Sequence, residues 1–365
     1  MRSIWKYQHL LPCIPGDHRI LLGEGETPLI KSKAIGKQLG VPELYFKLEN
    51  LNPSGSYKDR FAAMFISLLK SRSIPICLAT SSGNTGAALA AYCAAAKIKC
   101  ILAIVDGAPL AKIKQMQLYG ASTYMIKDFG KDMNVTKDVF NFLEATADSL
   151  GIPLPISAYH YCGEGMMGVQ TISYELMEEE NSIDHIFLPA GGGGLTLAVA
   201  KGVQLFAAKN PGSVIPKVNC VQPVGNDTIA TALRNKTGKA IAVPYSATEI
   251  SGLQVPNVLD GDAVIKECSG LNGNGYVVPD PLVFEFQRSL ALQEGIFCEP
   301  AAAVPLAGLA IAVEKKEVTS EEKVVCIITG SGFKDMASVD EHYQLSQPQR
   351  LRNVYSLKEE LKKFI

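Results

Sequence analysis

The chain has 365 residues, of which 47% are hydrophobic, and a formal net charge of -1 at pH 7. A chain of this length can bury a large core and is expected to form two domains. The near-zero charge gives no reason to expect nucleic acid or an anionic membrane as partner.

Nine cysteines are spread along the chain, with no Cys-x-x-Cys pair and no clustering with the five histidines. Several of them, such as Cys77, Cys100 and Cys326, lie in apolar runs, where a free thiol packs as a small hydrophobic side chain. We therefore expect neither disulfides nor a metal site, and a reducing cytoplasm as the compartment. No signal segment and no apolar stretch long enough to span a bilayer are expected.

Residues 1–30 read as an irregular segment that ends in Leu-Gly-Glu-Gly-Glu-Thr-Pro-Leu-Ile, whose glycines indicate a turn. A short strand is predicted at 44–47, and Pro53 and Gly55 then force another turn. After this turn, apolar residues recur at helical spacing and predict an amphipathic helix. These residues are Phe61, Met64, Phe65, Leu68 and Leu69.

Helices and strands alternate along the rest of the chain, on both sides of the proline-rich segment 151–155. Such alternation predicts an α/β fold, in which crossover helices flank sheets of mostly parallel strands. Strands are predicted at 76–79, 99–105, 122–126, 185–190, 218–221 and 324–328. Helices are predicted at 87–96, 112–119, 135–150, 169–177, 195–209, 281–290 and 301–313. The tail, 345–365, is polar and then amphipathic, and we expect it to pack on a neighbour.

Lys58 falls in the first turn of the helix predicted after Gly55. A cation at a helix N-terminus works against the macrodipole, and the positive field there favours the neutral, nucleophilic form of an amine. Lysines in such a position form Schiff bases with carbonyl cofactors. On this stretch alone, a surface lysine in a basic Lys-Asp-Arg turn remains the better interpretation.

Three further loops follow predicted strands. The loop at 80–86, Thr-Ser-Ser-Gly-Asn-Thr-Gly, offers several donors to a carboxylate, although an elaborate N-cap explains it too. Four glycines at 191–194 let successive N–H groups converge on a phosphate, and no Gly-Lys-Ser/Thr follows as a nucleotide P-loop requires. The segment 329–335, Thr-Gly-Ser-Gly-Phe-Lys-Asp, is explained most simply as a strand end with a hydroxyl cap.

Together with Pro-Ser-Gly-Ser-Tyr-Lys-Asp-Arg at 53–60, these loops resemble the cofactor segments of the pyridoxal-phosphate (PLP) enzymes of the tryptophan-synthase-β type, known as fold type II. The segments match in type, order and approximate spacing over residues 23–335. The resemblance is greatest to the threonine synthases, amino-acid biosynthetic enzymes whose Glu-Gly-x-Thr-Pro-Leu string also occurs at 24–29.

The resemblance implies a role for each matched residue. Lys58 would bind PLP as a Schiff base and remove the α-proton of the substrate. Asn84 would hydrogen-bond the phenolic oxygen of the cofactor, and Thr329 would face its pyridine nitrogen. The cofactor phosphate would be bound by Gly191, Gly192, Gly193 and Gly194, and the substrate carboxylate by Ser81, Ser82, Asn84 and Thr85.

Charged residues beside the matched segments are not assigned chemistry. Glu299, which precedes Pro300 as in the family, is left out of the site because the helix dipole explains a first-turn carboxylate equally well. Asp59 and Arg60 are expected to hold the turn by pairing.

The resemblance also implies two domains, each a mostly parallel twisted sheet flanked by helices, with PLP in the cleft between them. The large PLP-binding domain would comprise 1–52 and 151–345, the small inserted domain 53–150, and the C-terminal tail 346–365. Proteins of this family usually associate, so a homodimer is expected. The expected partner is a small amino-acid substrate, without nucleic acid, membrane or metal.

Two departures from the threonine synthases leave the reaction open. Those enzymes carry Asn-Pro-Tyr-Arg ahead of a Gly-Gln-Lys-Thr helix, whereas this chain has Cys-Gly-Glu-Gly at 162–165, so Gly165 replaces the arginine that would bind the substrate phosphate. The four glycines at 191–194 are more similar to those of serine and threonine dehydratases.

Three functions are therefore ranked. Conversion of O-phosphohomoserine and water to threonine and phosphate comes first. The second is β-elimination from serine or threonine, or β-replacement on an O-activated serine. A non-catalytic PLP-fold binding protein comes last, because a scaffold needs none of Lys58, Asn84, the glycines and Thr329.

Overall fold

The chain folds around two sheets, described in a computed structural model that covers residues 3–81, 83–108, 110–180 and 182–364. The strands are β1 (Leu29–Lys31), β2 (Leu44–Lys47), β3 (Ile76–Thr80), β4 (Lys99–Ile104), β5 (Ser122–Met125), β6 (His185–Pro189), β7 (Lys217–Pro223), β8 (Gly275–Val278) and β9 (Val324–Ile327). Within the described residues, one sheet has the order β1-β2-β9-β6-β7-β8 and the other β3-β4-β5. Neighbouring strands run parallel, except that β1 is antiparallel to β2.

Helices cover both sheets. They are α1 (Ile35–Gln38), α2 (Lys58–Ser71), α3 (Asn84–Ala96), α4 (Leu110–Leu118), α5 (Met133–Leu150), α6 (Tyr159–Glu179), α7 (Gly194–Lys209), α8 (Ala230–Arg234), α9 (Gly261–Gly270), α10 (Asp280–Ser289), α11 (Pro300–Glu314), α12 (Met336–His342) and α13 (Val354–Leu361). Short 3-10 helices occur at Ile4–Tyr7, Gly16–His18, Glu49–Leu51 and Gly332–Lys334, and a π-helix at Leu290–Glu294. The predicted α/β fold with mostly parallel sheets flanked by helices is confirmed.

Two of the elements that the sequence predicts incompletely or not at all, α6 and β8, contain glycine. The helix predicted at 169–177 begins already at Tyr159. Its first turns are not predicted because they contain two glycines, Gly163 and Gly165. They also contain Cys162, whose backbone is not helical (φ -144, ψ 69). Strand β8 begins at Gly275, where an added Cβ would collide with the backbone of Ala230. Glycine weakens the periodic pattern from which helices and strands are predicted, although close packing favours it at Gly165 and Gly275.

The core has two parts. In one, α2, α3, α6 and α7 pack together, and α2 contacts both α3 and α6. In the other, α11 lies against β6, β7, β8 and β9. Most residues of α11 are apolar and buried, as is typical of a helix inside a core. No helix among the described residues is long and apolar enough to cross a membrane. Helix α13 of the tail has no buried residue.

The loops singled out in the sequence follow the carboxyl ends of β2, β3, β6 and β9. Three of these strands, β2, β9 and β6, are neighbours in one parallel sheet, so their carboxyl ends lie at the same edge. Open α/β sheets bind ligands at that edge. The topology therefore brings segments from distant parts of the sequence to one place.

Candidate active site

Lys58 is the first residue of α2, as the sequence predicts, and Tyr57 precedes it as N-cap. Its Nζ lies 4.6 Å from the centroid of the Tyr57 ring. The same Nζ donates a hydrogen bond of 2.5 Å to Ser157 Oγ, at the start of the segment that leads into α6. The lysine side chain is therefore held by a residue 99 positions away.

Ser157 lies where three predicted site segments meet. Its hydroxyl contacts Lys58, and it is also 3.1 Å from the Oγ1 atom of Thr85 in the loop after β3. Its backbone carbonyl packs against Gly194, where an added Cβ would lie 2.5 Å from the carbonyl oxygen. The structure thus connects the lysine amine, the hydroxyl loop and the glycine run through one residue.

The glycine run forms a tight turn between β6 and α7. Gly193 adopts φ +92, which is strained for residues with a side chain. At Gly192, a Cβ would lie 2.6 Å from the side chain of Leu259. Two hydrogen bonds fix the turn. The side-chain amide of Gln222 donates to the carbonyl of Gly191 at 3.1 Å, and the backbone N–H of Asp260 donates to the carbonyl of Gly192 at 3.0 Å. Close packing and the positive φ of Gly193 therefore favour glycine at 192–194, and the turn carries no side chains.

The loop after β3 uses part of its polar groups internally. The hydroxyl of Ser81 accepts hydrogen bonds from the N–H groups of Gly83 and Gly86, at 3.3 and 2.9 Å. Gly86 lies in the first turn of α3, whose N-cap residue, Gly83, has no side chain with which to cap it. Ser82, also predicted to bind substrate, lies outside the described residues.

Asn84 begins α3 and points towards Glu299. Its Nδ2 donates to both carboxylate oxygens of Glu299, at 2.9 and 3.1 Å. Its Oδ1 is buried and has no hydrogen-bond partner among the described residues. Since buried polar atoms are normally paired, an unpaired oxygen at a predicted cofactor residue calls for a bound group.

Glu299 is the N-cap residue of α11 and is almost fully buried. Burial raises the pKa of its carboxyl, while the charges of Lys112 and Lys334 and the hydrogen bond from Asn84 oppose that rise. The carboxylate therefore contacts a predicted cofactor residue in addition to beginning α11. Sequence analysis leaves Glu299 out of the site, and this contact makes it a candidate site residue.

Thr329 follows β9 and is buried. Its carbonyl accepts a hydrogen bond of 3.1 Å from the backbone N–H of Tyr57. The next residue, Gly330, forms an isolated antiparallel bridge with Ser56. Backbone pairing therefore places Thr329 beside the segment that carries Lys58.

A buried ion-pair network supports α2 just behind Lys58. Arg60 has no exposed side-chain surface and contacts Glu49 at 2.7 Å and Glu175 at 2.5 Å. Lys47 contacts Glu175 from the other side, at 3.0 Å. Burial alone would raise the pKa of the Glu175 carboxyl, but the charge and hydrogen bonds of Arg60 outweigh it and lower that pKa. Arg60 thus joins α2 to α6 and to the 3-10 helix Glu49–Leu51 that follows β2, and it does not pair with its neighbour Asp59.

At position 165, where the resemblance to threonine synthases implies an arginine, neighbouring side chains occupy the space beside the glycine. A Cβ at Gly165 would lie 2.6 Å from the ring of Phe61 and 2.9 Å from Cys162 Sγ. Phe61 is one turn after Lys58 in α2. A larger side chain cannot occupy this position unless α2 and α6 move apart.

Two observations indicate that these residues fit PLP. The turn at 191–194 consists of four successive glycines, and an added Cβ would meet neighbouring protein atoms at 2.5 to 3.0 Å at each of them, so this backbone carries no side chain that would keep a phosphate from its N–H groups. Asn84 has a buried Oδ1 atom without a hydrogen-bond partner among the described residues. The residues that would hold the cofactor are Lys58, Asn84, Gly191, Gly192, Gly193, Gly194 and Thr329; their roles stay predictions.

Sequence analysis does not assign three residues that contact the candidate site, Ser157, Asp260 and Glu299, and the first two carry no sequence signal. Ser157 stands in Leu-Pro-Ile-Ser-Ala-Tyr, and Asp260 in Val-Leu-Asp-Gly-Asp, neither of which forms a motif. Asp260 accepts from the backbone N–H groups of Tyr159 and His160, at 2.7 and 3.0 Å, and so joins the start of α6 to the glycine turn. Only Glu299 stood in a string that the sequence had matched.

Comparison with known proteins identifies the class. The family described as "Pyridoxal-phosphate dependent enzyme" matches residues 20–330. The chain therefore belongs to this family, and it is a PLP-dependent enzyme of fold type II.

Within the family, the most similar relatives include threonine synthases. That of Methanocaldococcus jannaschii is 30% identical over 91% of this chain and 81% of its own length. That of Synechocystis is 31% identical over 90% of this chain and 82% of its own. Among solved structures, maize serine racemase has a TM-score of 0.72 at 24% identity and covers 93% of both chains. Threonine deaminase isoform 2 from Solanum lycopersicum has a TM-score of 0.73 at 21% identity, over 93% of this chain and 87% of its own.

Proposed function

We propose that the protein uses PLP bound through Lys58 to release an oxygen leaving group from an amino-acid substrate. The leading reaction is the conversion of O-phosphohomoserine and water to threonine and phosphate. The observation that carries the proposal is the meeting of the Lys58 amine, the Thr85 hydroxyl and the glycine turn at Ser157. The similarity to threonine synthases over nine-tenths of the chain supports this choice of reaction.

The chain's own residues perform four tasks in this proposal. PLP, when bound, supplies an electron sink for the substrate α-carbon. Lys58 removes and returns protons at that carbon, as a positioned amine. The loop at 81–85 holds the substrate carboxylate, and the turn at 191–194 holds the cofactor phosphate by backbone N–H groups. Thr329 presents a neutral hydroxyl to the pyridine nitrogen, which moderates the cofactor as electron sink.

A second candidate is elimination from serine or threonine, or replacement on an O-activated serine. The observation that favours it is the packing of Gly165 against Phe61, which leaves no room for a phosphate-binding arginine. A phosphate dianion without a guanidinium loses a strong bidentate partner.

Product analysis of the purified enzyme tests the two candidates. Release of inorganic phosphate and formation of threonine from O-phosphohomoserine support the leading reaction. Formation of pyruvate or 2-oxobutyrate from serine or threonine, with no phosphate release from O-phosphohomoserine, would replace it with the second. A matched Lys58→Ala variant should be inactive in both assays.

The assembly and organisation follow from the same proposal. The domain division is 1–52 with 151–345 and an inserted 53–150, with PLP in the cleft between the two parts. It is supported by the sheet β3-β4-β5, whose strands lie between 76 and 125. A homodimer in the cytoplasm is proposed as well, and light scattering of the purified protein tests the dimer.

A further inference from the structure

Ser157 is placed between two groups that the proposed function uses. Its Oγ lies 2.5 Å from Lys58 Nζ and 3.1 Å from Thr85 Oγ1. A protonated Lys58 Nζ has donors and no acceptor, so Ser157 Oγ accepts a hydrogen bond from it. The hydroxyl proton of Ser157 is then available to donate to Thr85 Oγ1. The two contacts form a continuous line of donors and acceptors from the amine into the hydroxyl loop.

The surroundings fix Ser157 in this place. Its carbonyl packs on Gly194. The backbone N–H groups of Tyr159 and His160, which follow Ser157 closely in the chain, donate to the carboxylate of Asp260. The backbone N–H of Asp260 in turn donates to the carbonyl of Gly192. Ser157 is therefore held against the glycine turn by its own carbonyl, which contacts Gly194, and by the residues after it, which are linked to Gly192 through Asp260. Its hydroxyl points to the Lys58 amine.

We propose that Ser157 is a positioning residue that holds the Lys58 amine and passes protons between it and Thr85. This inference rests on the proposed function. When the leaving oxygen is on the β-carbon of the substrate, Lys58 takes the α-proton, Nζ gives one proton to Ser157 Oγ, Ser157 gives its hydroxyl proton to Thr85 Oγ1, and Thr85 gives its own to the departing oxygen. The electrons of the broken Cα–H bond form the Cα–Cβ double bond, and the C–O bonding pair leaves with the oxygen. For O-phosphohomoserine, whose leaving oxygen is on the γ-carbon, the proton passed along the same line is one that Lys58 takes from the β-carbon, and the electrons of that C–H bond form the Cβ–Cγ double bond. Each hydroxyl gains and loses one proton, and Lys58 returns to the neutral amine.

The test compares Ser157→Ala, which removes the hydroxyl, with Ser157→Thr, which keeps it. Because Ser157 is only half-buried, both variants should fold. The first readout is the rate at which PLP added to the cofactor-free protein develops visible absorbance. The second is the exchange of the α-hydrogen of L-2-aminobutyrate for deuterium in D2O, followed by NMR. This amino acid has no leaving group, so exchange depends on proton transfer at Lys58 and not on the identity of the natural substrate.

We expect Ser157→Ala to bind PLP, but to develop absorbance and to exchange deuterium at least about 10-fold more slowly than the wild type. Ser157→Thr should stay within about 3-fold of the wild type, since it retains the hydroxyl. Wild-type exchange in Ser157→Ala, or equal losses in both variants, would overturn the inference.

The same experiment separates this inference from the proposed reaction. If the wild type exchanges deuterium, and Ser157→Ala does not, the inference stands even when O-phosphohomoserine is not turned over. If the wild type takes up no PLP, the proposed function and this inference are both overturned.

Discussion

The contact between Gly165 and Phe61 shows how one residue limits the chemistry of the site. The ring of Phe61 occupies the space that a side chain at position 165 would need. Phe61 is itself fully buried and lies in the same helix as Lys58. The arginine that the resemblance to threonine synthases implies at position 165 therefore has no space in the present packing of α2 against α6.

Gly165→Ala should destabilise the protein by about 1 to 3 kcal/mol, because the methyl group overpacks the contact between α2 and α6. Gly163→Ala is the matched control from the same turn of α6. Its Cβ would meet only the Tyr159 ring, at 3.9 Å, and alanine is the better helix former. Urea unfolding measures both, and equal stability of the two variants would contradict the packing described for Gly165.

At the residue scale, the sequence indicates the groups that stand in recognisable strings. Lys58, Asn84, the glycines at 191–194 and Thr329 were proposed in this way, and the structure brings their segments to one edge of the fold. Ser157 and Glu299 acquire their contacts across 99 and 215 positions of sequence. Such contacts depend on how helices and strands pack, which no local pattern encodes.

At the scale of elements, α6 holds the site in place by two different contacts. Its first residues are fixed to the glycine turn by Asp260, and its middle is tied to α2 by the pairing of Glu175 with Arg60. The kink at Cys162 lies between the two. Helix α6 thereby sets the distance between Lys58 and the glycine turn.

Glu175→Gln should lower the free energy of unfolding by about 3 to 5 kcal/mol, because it leaves Arg60 and Lys47 buried with too little negative charge. Glu178→Gln, one turn along the same helix, removes an exposed pair with Lys6 and should cost about 1 kcal/mol or less. Urea unfolding of both variants is the measurement. Similar losses in both variants would show that burial of the network contributes little.

Elements were predicted best where hydrophobic runs are continuous. Strands β3, β4, β6 and β9 were found within one residue at either end, since buried parallel strands are uniformly apolar. The sequence does not predict the start of α6, nor β1, β8, α1, α8, α9 and α12. In α6, β8 and α9, glycines stand where an added Cβ would lie within 2.7 Å of another residue, namely Gly165, Gly275 and Gly261, and this packing becomes visible only in three dimensions.

For the molecule as a whole, buried acids make stability depend on pH. Burial raises the pKa of Asp59 from 3.8 to about 7, against the opposing hydrogen bonds from Ser54. Between these two values, the folded chain keeps a proton that the unfolded chain has lost. The folded state therefore binds more protons, and the free energy of unfolding falls as the pH rises from 4 to 7.

Asp59→Asn should remove this contribution. Between pH 4 and pH 7, the free energy of unfolding should then fall by roughly 2 to 4 kcal/mol less in the variant than in the wild type. Asp148→Asn, an exposed acid in α5, serves as control and should follow the wild type. Urea unfolding at a series of pH values measures the difference. An Asp59→Asn profile parallel to that of the wild type would show that Asp59 is ionised in the folded state at pH 4.

The central claim, that Lys58 binds PLP as an imine, can be tested directly. Borohydride reduction of the PLP-treated protein makes the link permanent, and peptide mass spectrometry then locates it. We predict that the phosphopyridoxyl group is found on the peptide that contains Lys58, and that Lys58→Ala abolishes both the label and the visible absorbance, whereas Lys114→Ala, an exposed lysine of α4, changes neither. Label on another lysine, or no label on a protein shown to be folded, would contradict the account.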